Sequence, residues 1–349
     1  MEICCTVLLG PGCEAHVGEA IASVREQVDE FLFIESGGGQ PALDAATVAA
    51  ESTAVCEVPY LWLGDYGAAR QFALEQARGL GCDYALTLDP DERLALAPDF
   101  RAVIARHPEA DVWILPDRAT GYFKERVIRT NTKAYWHGQV CEFLDGREVA
   151  GARLPGYFWE LAKDTEGETR RWERGVVACT AMIEAGDDCY RWRRHRGTCL
   201  MGLGRQAEAL ADYEAALPLA LNTHETAWMR YLLCEQYVLA GRATEARELA
   251  ARGLADHAGF IPEFGWILAY TDQEANPQNA SRWAQLVTSS PPDRTRVGFR
   301  GQRCQQGARQ LLQALHGAQP EDMARAPGIV VRPAQTPPSP GAHQLIEAP

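Results

Sequence analysis

The first 120 residues alternate short apolar runs with segments of helical spacing, and this alternation limits the possible folds more than any other feature of the chain. Ile3 to Leu9 is a continuous apolar run followed by turn residues, as expected of a strand that is buried on both faces. Further strands are predicted at 31–34, 53–58, 84–88 and 112–115, and helices at 17–28, 42–50, 65–78 and 100–106. Strands that alternate with helices at this spacing predict a mostly parallel sheet covered by helices.

After about residue 165 the chain carries helical signals only. Gly204-Arg-Gln-Ala-Glu208 recurs 37 residues later as Gly241-Arg-Ala-Thr-Glu245, and a weaker third copy is expected near 266–287. A helix-turn-helix unit of this period resembles a tetratricopeptide repeat, although two unrelated helical hairpins would also fit. We therefore predict three parts: an α/β domain at 1–160, a helical repeat domain at 161–318 and a disordered proline-rich tail at 319–349.

The composition of the chain restricts both its possible partners and its cellular location. The net charge of −13 argues against a nucleic acid or an anionic membrane as partner, because both need a cationic face. No apolar run has the length of a membrane span, and the amino terminus lacks the pattern of a signal peptide. The eleven cysteines show no Cys-x-x-Cys spacing, which favours reduced thiols and hence a cytoplasmic location.

Two carboxylates follow the predicted strand at 84–88, in the segment Asp89-Pro-Asp91-Glu92. In an extended backbone, side chains two residues apart face the same way, so both aspartates can reach one site. Ligands of parallel sheets bind beyond the carboxyl ends of the strands, and oxygen ligands suit Mg²⁺ or Mn²⁺ that bridges phosphates. The segment also fits the start of a helix, with an N-cap, a proline at the first helical position and a capping glutamate. The buried strand upstream favours the cation site.

Four segments, in order along the chain, resemble family 2 glycosyltransferases with a GT-A domain. They are the strand that ends at Glu35 and the segments 62–70, 88–92 and 126–142. The last three are similar to the family patterns W-x-D-D-F-x-x-A-R-N, L-D-A-D-E and R-L-F-R followed by Y-x-G-x-V-H-E. With helical repeats behind this domain, the chain looks most like the branch that includes the peptide S-glycosyltransferases of glycosylated bacteriocins. The resemblance implies a Rossmann-like GT-A domain with a mostly parallel sheet, followed by an all-α tetratricopeptide-like domain.

The resemblance also implies an activity and the residues that serve it. The activity is the inverting, metal-dependent transfer of a sugar from a nucleotide-diphosphate donor, with a UDP-sugar favoured, to an acceptor. The acceptor would be a peptide or protein side chain held by the helical repeats, and the cofactor would be Mg²⁺ or Mn²⁺. The implied donor-binding residues are Glu35, Asp65, Arg70 and Asp89, the implied metal ligand is Asp91, and the implied catalytic base is Glu142.

The chain also departs from the family pattern. Glu35 stands in place of an aspartate, Gly64 in place of a frequent acid, and Cys141 in place of a histidine. Leu154 occupies the position of a histidine that can complete the metal site, and His137 cannot be assumed to substitute for it. Two expectations follow: either Asp91, the diphosphate and water alone hold the cation, or the cation is not held tightly at all.

These departures leave a second class of function open. The chain would then be a catalytically degenerate GT-A protein that acts as a binding or scaffold module through its repeats. A nucleotidyltransferase is less favoured, because the loop Gly10-Pro-Gly12 after the first strand has no lysine nearby. The sequence is also compatible with Arg70 as a surface helix residue and with Glu142 as a solvated carboxylate.

Overall fold

The computed structural model describes residues 1–118, 123–145, 150–161, 165–290 and 301–317. It divides into two compact units, Met1–Ala162 and Lys163–Pro349. The first unit combines strands and helices, and the described part of the second is helical. The tail predicted at 319–349 lies outside the described residues.

Helices and strands of the first unit follow the predicted alternation. The strands are β1 (Ile3–Leu9), β2 (Glu30–Glu35), β3 (Ala54–Pro59), β4 (Tyr84–Leu88), β5 (Glu92–Leu96), β6 (Val112–Pro116), β7 (Phe123–Arg129), β8 (Tyr135–His137), β9 (Phe143–Asp145), β10 (Gly151–Arg153) and β11 (Gly156–Glu160). The helices are α1 (Val17–Ala22), α2 (Gly39–Ala50), α3 (Tyr66–Gly79) and α4 (Phe100–Arg106). The helix expected at 17–28 is shorter than predicted, since a separate 3₁₀ turn follows at Arg25–Gln27.

Seven strands form one sheet in the order β10-β6-β7-β4-β1-β2-β3. β1 pairs in parallel with β2 and β4, β2 pairs in parallel with β3, and β10 does so with β6. β7 runs antiparallel between β4 and β6. The sheet is therefore mostly parallel, which confirms the predicted fold class, and β7 is a reversed strand that the sequence reasoning missed.

The strand order reverses at β1, because β2 and β3 lie on one side of it and β4 on the other. Side chains of α1, α2 and α4 pack against one face of the sheet, and those of α3 pack against the opposite face. Open α/β sheets bind their ligands beyond the carboxyl ends of the strands at such a reversal. Asp89, the first residue after β4, lies at this point.

A tight turn leads from β4 into β5. The N–H of Glu92 donates to the carbonyl of Asp89 at 2.9 Å, and the chain continues as a strand rather than a helix. β5 pairs antiparallel with β11, which places Glu92 opposite Glu160. The alternative interpretation of segment 89–92 as a helix start is therefore wrong, because pairing with a distant strand determines the backbone of 92–96.

The second unit is a series of helices in which consecutive members pack against each other. Its helices are α5 (Thr165–Glu184), α6 (Tyr190–Gly202), α7 (Gln206–Ala216), α8 (Thr223–Leu239), α9 (Ala243–Asp256), α10 (Ile261–Asp272), α11 (Pro277–Ser289) and α12 (Gly301–Gly317). The helical fold predicted for this part of the chain is confirmed, and the weak third copy corresponds to the hairpin α10–α11.

The two clear sequence copies adopt the same backbone conformation. Gly204 and Gly241 both have φ of 74°, the left-handed conformation that ends α6 and α8. The following arginine donates its N–H to the carbonyl five residues back in both copies, at 2.9 Å from Arg205 and 2.8 Å from Arg242. Each of these arginines also pairs with the glutamate three residues ahead of it. Equivalence at the level of single hydrogen bonds supports a repeat over two unrelated hairpins.

Two expectations from composition can be compared with the described residues. All eleven cysteines are free thiols, and seven of them are buried. None of the described helices combines the length and the apolarity that a membrane span requires.

Candidate functional site

Arg70, on α3, joins two of the predicted site residues. Its Nε donates to Oε1 of Glu142 at 2.6 Å, and its Nη2 donates to Oδ1 of Asp89 at 2.7 Å. The side chain of Arg70 is only 7% exposed, so the interpretation of it as a surface residue is wrong. Although burial opposes it, the charges of Asp89 and Glu142 raise the pKa of the guanidinium. Three segments that are distant in sequence therefore meet at one point.

The start of α3 places Arg70 in this position. Asp65 is the N-cap of the helix, and its carboxylate accepts a hydrogen bond from the N–H of Ala68 at 2.8 Å. Gly67 packs directly against the loop before Glu142, because its N–H donates to the carbonyl of Gly138 at 3.0 Å. A Cβ at position 67 would lie 2.7 Å from that carbonyl oxygen, so only glycine allows this approach.

Trp136 supports Arg70 from the side of β8. The guanidinium lies 5.4 Å from the centre of the Trp136 ring, which is a cation–π distance. The N–H of Trp136 donates to Oε1 of Gln71 at 3.0 Å, so β8 is fixed to α3 next to Arg70. The tryptophan is buried in the core on the α3 face of the sheet.

Glu142 follows a backbone outlier. Cys141 has φ of 51°, a left-handed conformation that non-glycine residues seldom adopt. Such strained residues persist only where their surroundings enforce them, and they cluster at functional sites. The carboxylate of Glu142 is 18% exposed and bonded to Arg70, so the alternative of a fully solvated carboxylate is wrong.

Behind Asp89 lies a second ionic group that the sequence reasoning missed. Glu92 is 1% exposed, and Nη2 of Arg126 donates to both of its carboxylate oxygens at 2.5 Å. Nζ of Lys124 donates to Oε1 of Glu92 at 2.8 Å and to Oε1 of Glu160 at 2.6 Å. A possible sequence signal was the spacing of Lys124 and Arg126, because residues two apart on a strand share one face.

The ion pairs around Arg70 and those around Glu92 interact electrostatically through Asp89. Burial would raise the pKa of Asp89, but the positive charges of Arg70 and Arg126 hold it well below its usual range. Burial raises the pKa of Glu92, with Arg126 opposing this effect. Asp89 is therefore an ionised carboxylate at neutral pH, 22% exposed at the edge of the sheet.

Glu35 and Asp65 also lie at this edge, but their described contacts are to backbone. Oε1 of Glu35 accepts hydrogen bonds from the N–H groups of Gly37 and Gly39 at 2.8 and 3.0 Å. These bonds lower the pKa of Glu35, with Gly39 contributing most. Both acids therefore have a structural role at the beginning of a helix, and their implied contact with a nucleotide stays a prediction.

Asp91 lies in the turn between β4 and β5, and its carbonyl accepts a hydrogen bond from the N–H of Leu161 at 2.8 Å. Within the described ranges, no group of three or more His, Cys, Asp or Glu side chains is placed to hold a metal ion. Leu154, which stands in place of the family histidine, is buried in the core at 3% exposure. A cation at Asp91 would accordingly take further ligands from a bound diphosphate and water, which is a usual arrangement for Mg²⁺.

Comparisons with known proteins return likenesses in structure only. No family model and no curated protein matches the chain. Among solved structures, S. aureus TarS 1–349 in complex with UDP is similar, with 11% identity over 91% of this chain and 92% of that one and a TM-score of 0.37. TarS 1–349 in complex with UDP-GlcNAc has 13% identity over 91% and 93% and a TM-score of 0.36. MamA has 12% identity over 45% of this chain and 94% of that one, with a TM-score of 0.32. At such low values, function has to be argued from the chain's own residues.

Proposed function

We propose that this protein is a glycosyltransferase that moves a sugar from a nucleotide-diphosphate donor, with a UDP-sugar favoured, to a peptide or protein acceptor. The observation that carries the proposal is the bridge by which Arg70 joins Asp89 and Glu142. Each of these three residues comes from a different segment of the family pattern, and all three lie where an open α/β sheet binds its ligand.

In the proposed reaction, a hydroxyl or thiol of the acceptor attacks the anomeric carbon of the donor sugar. The new bond forms as the bond from that carbon to the diphosphate oxygen breaks, and the electron pair leaves with the diphosphate. Glu142 takes the proton from the acceptor as general base, and attack opposite the leaving group inverts the configuration. Because Oε1 of Glu142 accepts a bond from Arg70, proton transfer falls to Oε2.

Asp89 and Asp91 would act on the donor. Asp89, held ionised by Arg70, would accept hydrogen bonds from the hydroxyls of the ribose or the sugar. Asp91 would bind Mg²⁺ or Mn²⁺ together with the diphosphate, and the cation, when bound, would offset negative charge on the leaving group. The cluster formed by Arg70, Arg126 and Lys124 with Asp89, Glu92, Glu142 and Glu160 has three cationic side chains against four carboxyl groups. An added diphosphate therefore favours a cation at the site.

The helical repeats would hold the acceptor, because stacked hairpins of this kind present an extended surface to partners. The proposed location is the cytoplasm, which the free thiols support.

The test is donor binding with and without metal. Thermal unfolding is followed with UDP- and GDP-sugars, with and without Mn²⁺, for the wild type, Asp91→Ala and the control Asp99→Ala. Asp99 is a surface acid, and its ion pair with Arg106 is a long contact of 3.8 Å. We expect stabilisation by a donor with Mn²⁺ that Asp91→Ala removes and Asp99→Ala keeps. No stabilisation by any donor, or one that Asp91→Ala leaves intact, contradicts metal-dependent transfer.

A degenerate binding module is the second candidate, and buried Leu154 favours it because no nitrogen ligand is possible there. The two candidates differ in turnover. Release of nucleotide diphosphate from a bound donor, faster with acceptor peptides present, supports the enzyme. Donor binding with no release of diphosphate under any condition supports the module.

A further inference from the structure

Lys124 carries one positive charge but forms ion pairs with two carboxylates. Its ammonium lies between two carboxylates, at 2.8 Å from Oε1 of Glu92 and 2.6 Å from Oε1 of Glu160. It also lies over the ring of Phe158, 5.2 Å from the centroid. Although burial opposes it, the charges of Glu92 and Glu160 raise its pKa, so Lys124 is cationic at neutral pH.

Both of these carboxylates lie at strand ends next to the turn that contains Asp91. Glu92 directly follows Asp91 in the chain, and Glu160 directly precedes Leu161, whose N–H donates to the Asp91 carbonyl at 2.8 Å. Lys124 is therefore held beside the residue proposed to bind the metal and the diphosphate. It also lies close enough to Asp89 to lower the pKa of that carboxylate.

Lys124 is more accessible than the neighbouring cation. Its side chain is 28% exposed, whereas that of Arg126 is 2% exposed and committed to Glu92. An ammonium has three donors, and the described residues use two of those on Lys124 in hydrogen bonds. Lys124 can therefore present a donor to a ligand without losing either carboxylate.

The residue type is also informative. Of the 34 basic residues of the chain only three are lysines, namely Lys124, Lys133 and Lys163. Arginine is a planar, bidentate group, whereas lysine is a compact charge with rotatable donors that binds phosphate as a point charge. In a chain that mostly uses arginine, a lysine on β7 beside the Asp91 turn fits a role that needs this compact, mobile charge.

We propose that Lys124 binds the diphosphate of the donor next to Asp91 and donates a hydrogen bond to the leaving group. This inference rests on the proposed function and adds a residue to its site. Preorganised donors aimed at developing charge are a main source of catalytic stabilisation. Lys124 would thus supply part of the positive charge at a site where Leu154 offers no metal ligand.

The alternative is that Lys124 only neutralises the buried Glu92. That role predicts lower stability on substitution but unchanged nucleotide binding, whereas the proposal predicts a specific loss of affinity for phosphate. The two are separated by comparing UDP with uridine, which lacks the diphosphate.

The first measurement is calorimetric titration of UDP and uridine, with GDP in parallel, in the presence of Mg²⁺. The proteins are the wild type, Lys124→Gln, Lys124→Arg and the control Lys133→Gln, which removes an exposed lysine. We expect Lys124→Gln to weaken UDP binding about 10- to 100-fold, as for a lost hydrogen bond to a charged group. Uridine binding should stay unchanged, and Lys133→Gln should behave as the wild type. Lys124→Arg should recover only part of the affinity, because a planar guanidinium replaces the compact ammonium.

The second measurement uses the wild type alone, so it holds even if Lys124→Gln fails to fold. Lysines are modified with pyridoxal 5′-phosphate, fixed with borohydride and mapped by mass spectrometry, with and without UDP and Mg²⁺. Protection of Lys124 but not of Lys133 supports the proposal. If UDP binds but leaves Lys124 as reactive as it is without UDP, the inference is overturned and the proposed function stands. If neither UDP nor GDP binds the wild type, both are overturned.

Discussion

Arg70 connects the predicted donor site to the predicted acceptor site at the scale of a single residue. Its guanidinium binds Asp89 on one side and Glu142 on the other, and its Nη1 is buried with no hydrogen-bond partner among the described residues. An arginine at such a position is not interchangeable with lysine, because only the guanidinium can direct separate N–H groups at two carboxylates.

Substitutions of Arg70 should therefore show how much of the protein's stability depends on the positive charge between the two carboxylates. We expect Arg70→Met to lower the free energy of unfolding by about 3 kcal/mol, because it leaves two partly buried carboxylates facing each other. Arg70→Lys should restore part of that loss. Arg106→Met, which removes an arginine that is 62% exposed and only 3.8 Å from Asp99, should change stability by about 0.5 kcal/mol or less. Urea denaturation measures all three, and an Arg70→Met as stable as Arg106→Met would contradict the bridge.

A second prediction at this scale concerns His257 in the helical unit. The ring is buried beside Arg230, whose Nη1 lies 3.1 Å from Nε2 of the histidine and 2.6 Å from Oδ2 of Asp256. Burial, followed by the charge of Arg230, lowers the pKa of His257 below its usual 6.5, with Asp256 opposing. The folded state thus prefers the neutral ring. This contribution is fully present above about pH 6.5 and is lost as the pH falls towards the folded-state pKa.

We expect the wild type to lose up to about 1 kcal/mol through this residue between pH 7.5 and pH 5.5. The loss should be smaller in His257→Gln and unchanged in His107→Gln, which replaces an exposed histidine of the first unit. Thermal unfolding across this range measures it. Parallel curves for all three proteins would show that His257 does not contribute.

At the scale of elements, α3 and the loop before Glu142 form one structural group. Gly67 makes their contact possible, since any Cβ there would meet backbone atoms of residues 137 and 138 at 3.0 Å or less. Backbone cannot yield as the end of a flexible side chain can, so the loop would have to move away from the helix.

Gly67→Ala should consequently displace Glu142 from Arg70. We expect a loss of about 1–3 kcal/mol in stability, as for overpacking, together with weaker donor binding. The matched control is Gly79→Ala at the end of the same helix, where a Cβ would meet nothing within 4 Å. Chemical denaturation and nucleotide titration of both variants test this, and equal behaviour would contradict the proposed contact.

Local signals predicted the elements better than the contacts between them. β4 and α4 have the predicted bounds because apolar runs and helical spacing are properties of contiguous residues. β5 and β7 were missed because their backbones are determined by pairing with strands far along the chain. The approach of Arg70 to Asp89 and Glu142 was implied only by a resemblance. The spacing of Lys124 and Arg126 indicates that they share one face of a strand, but their pairing with Glu92 depends on the same long-range strand order.

At the scale of the whole molecule, the proposed chemistry is assigned to one compact unit and acceptor binding to the other. Amide hydrogen exchange measures local unfolding in both units in a single experiment. A ligand that binds the native state makes local unfolding of its binding site rarer, so exchange there becomes slower. With UDP at about 100 times its Kd and Mn²⁺ present, openings that abolish binding should become about 100-fold rarer. We expect this protection at residues 66–70, 88–92 and 136–142, with unchanged exchange in helices α6 to α11.

The control is Asp91→Ala under the same conditions, in which the protection should largely disappear. Protection that falls on the helical unit instead would place the nucleotide on the repeats, and the bridge at Arg70 would then be a structural feature of the sheet edge rather than part of a donor site.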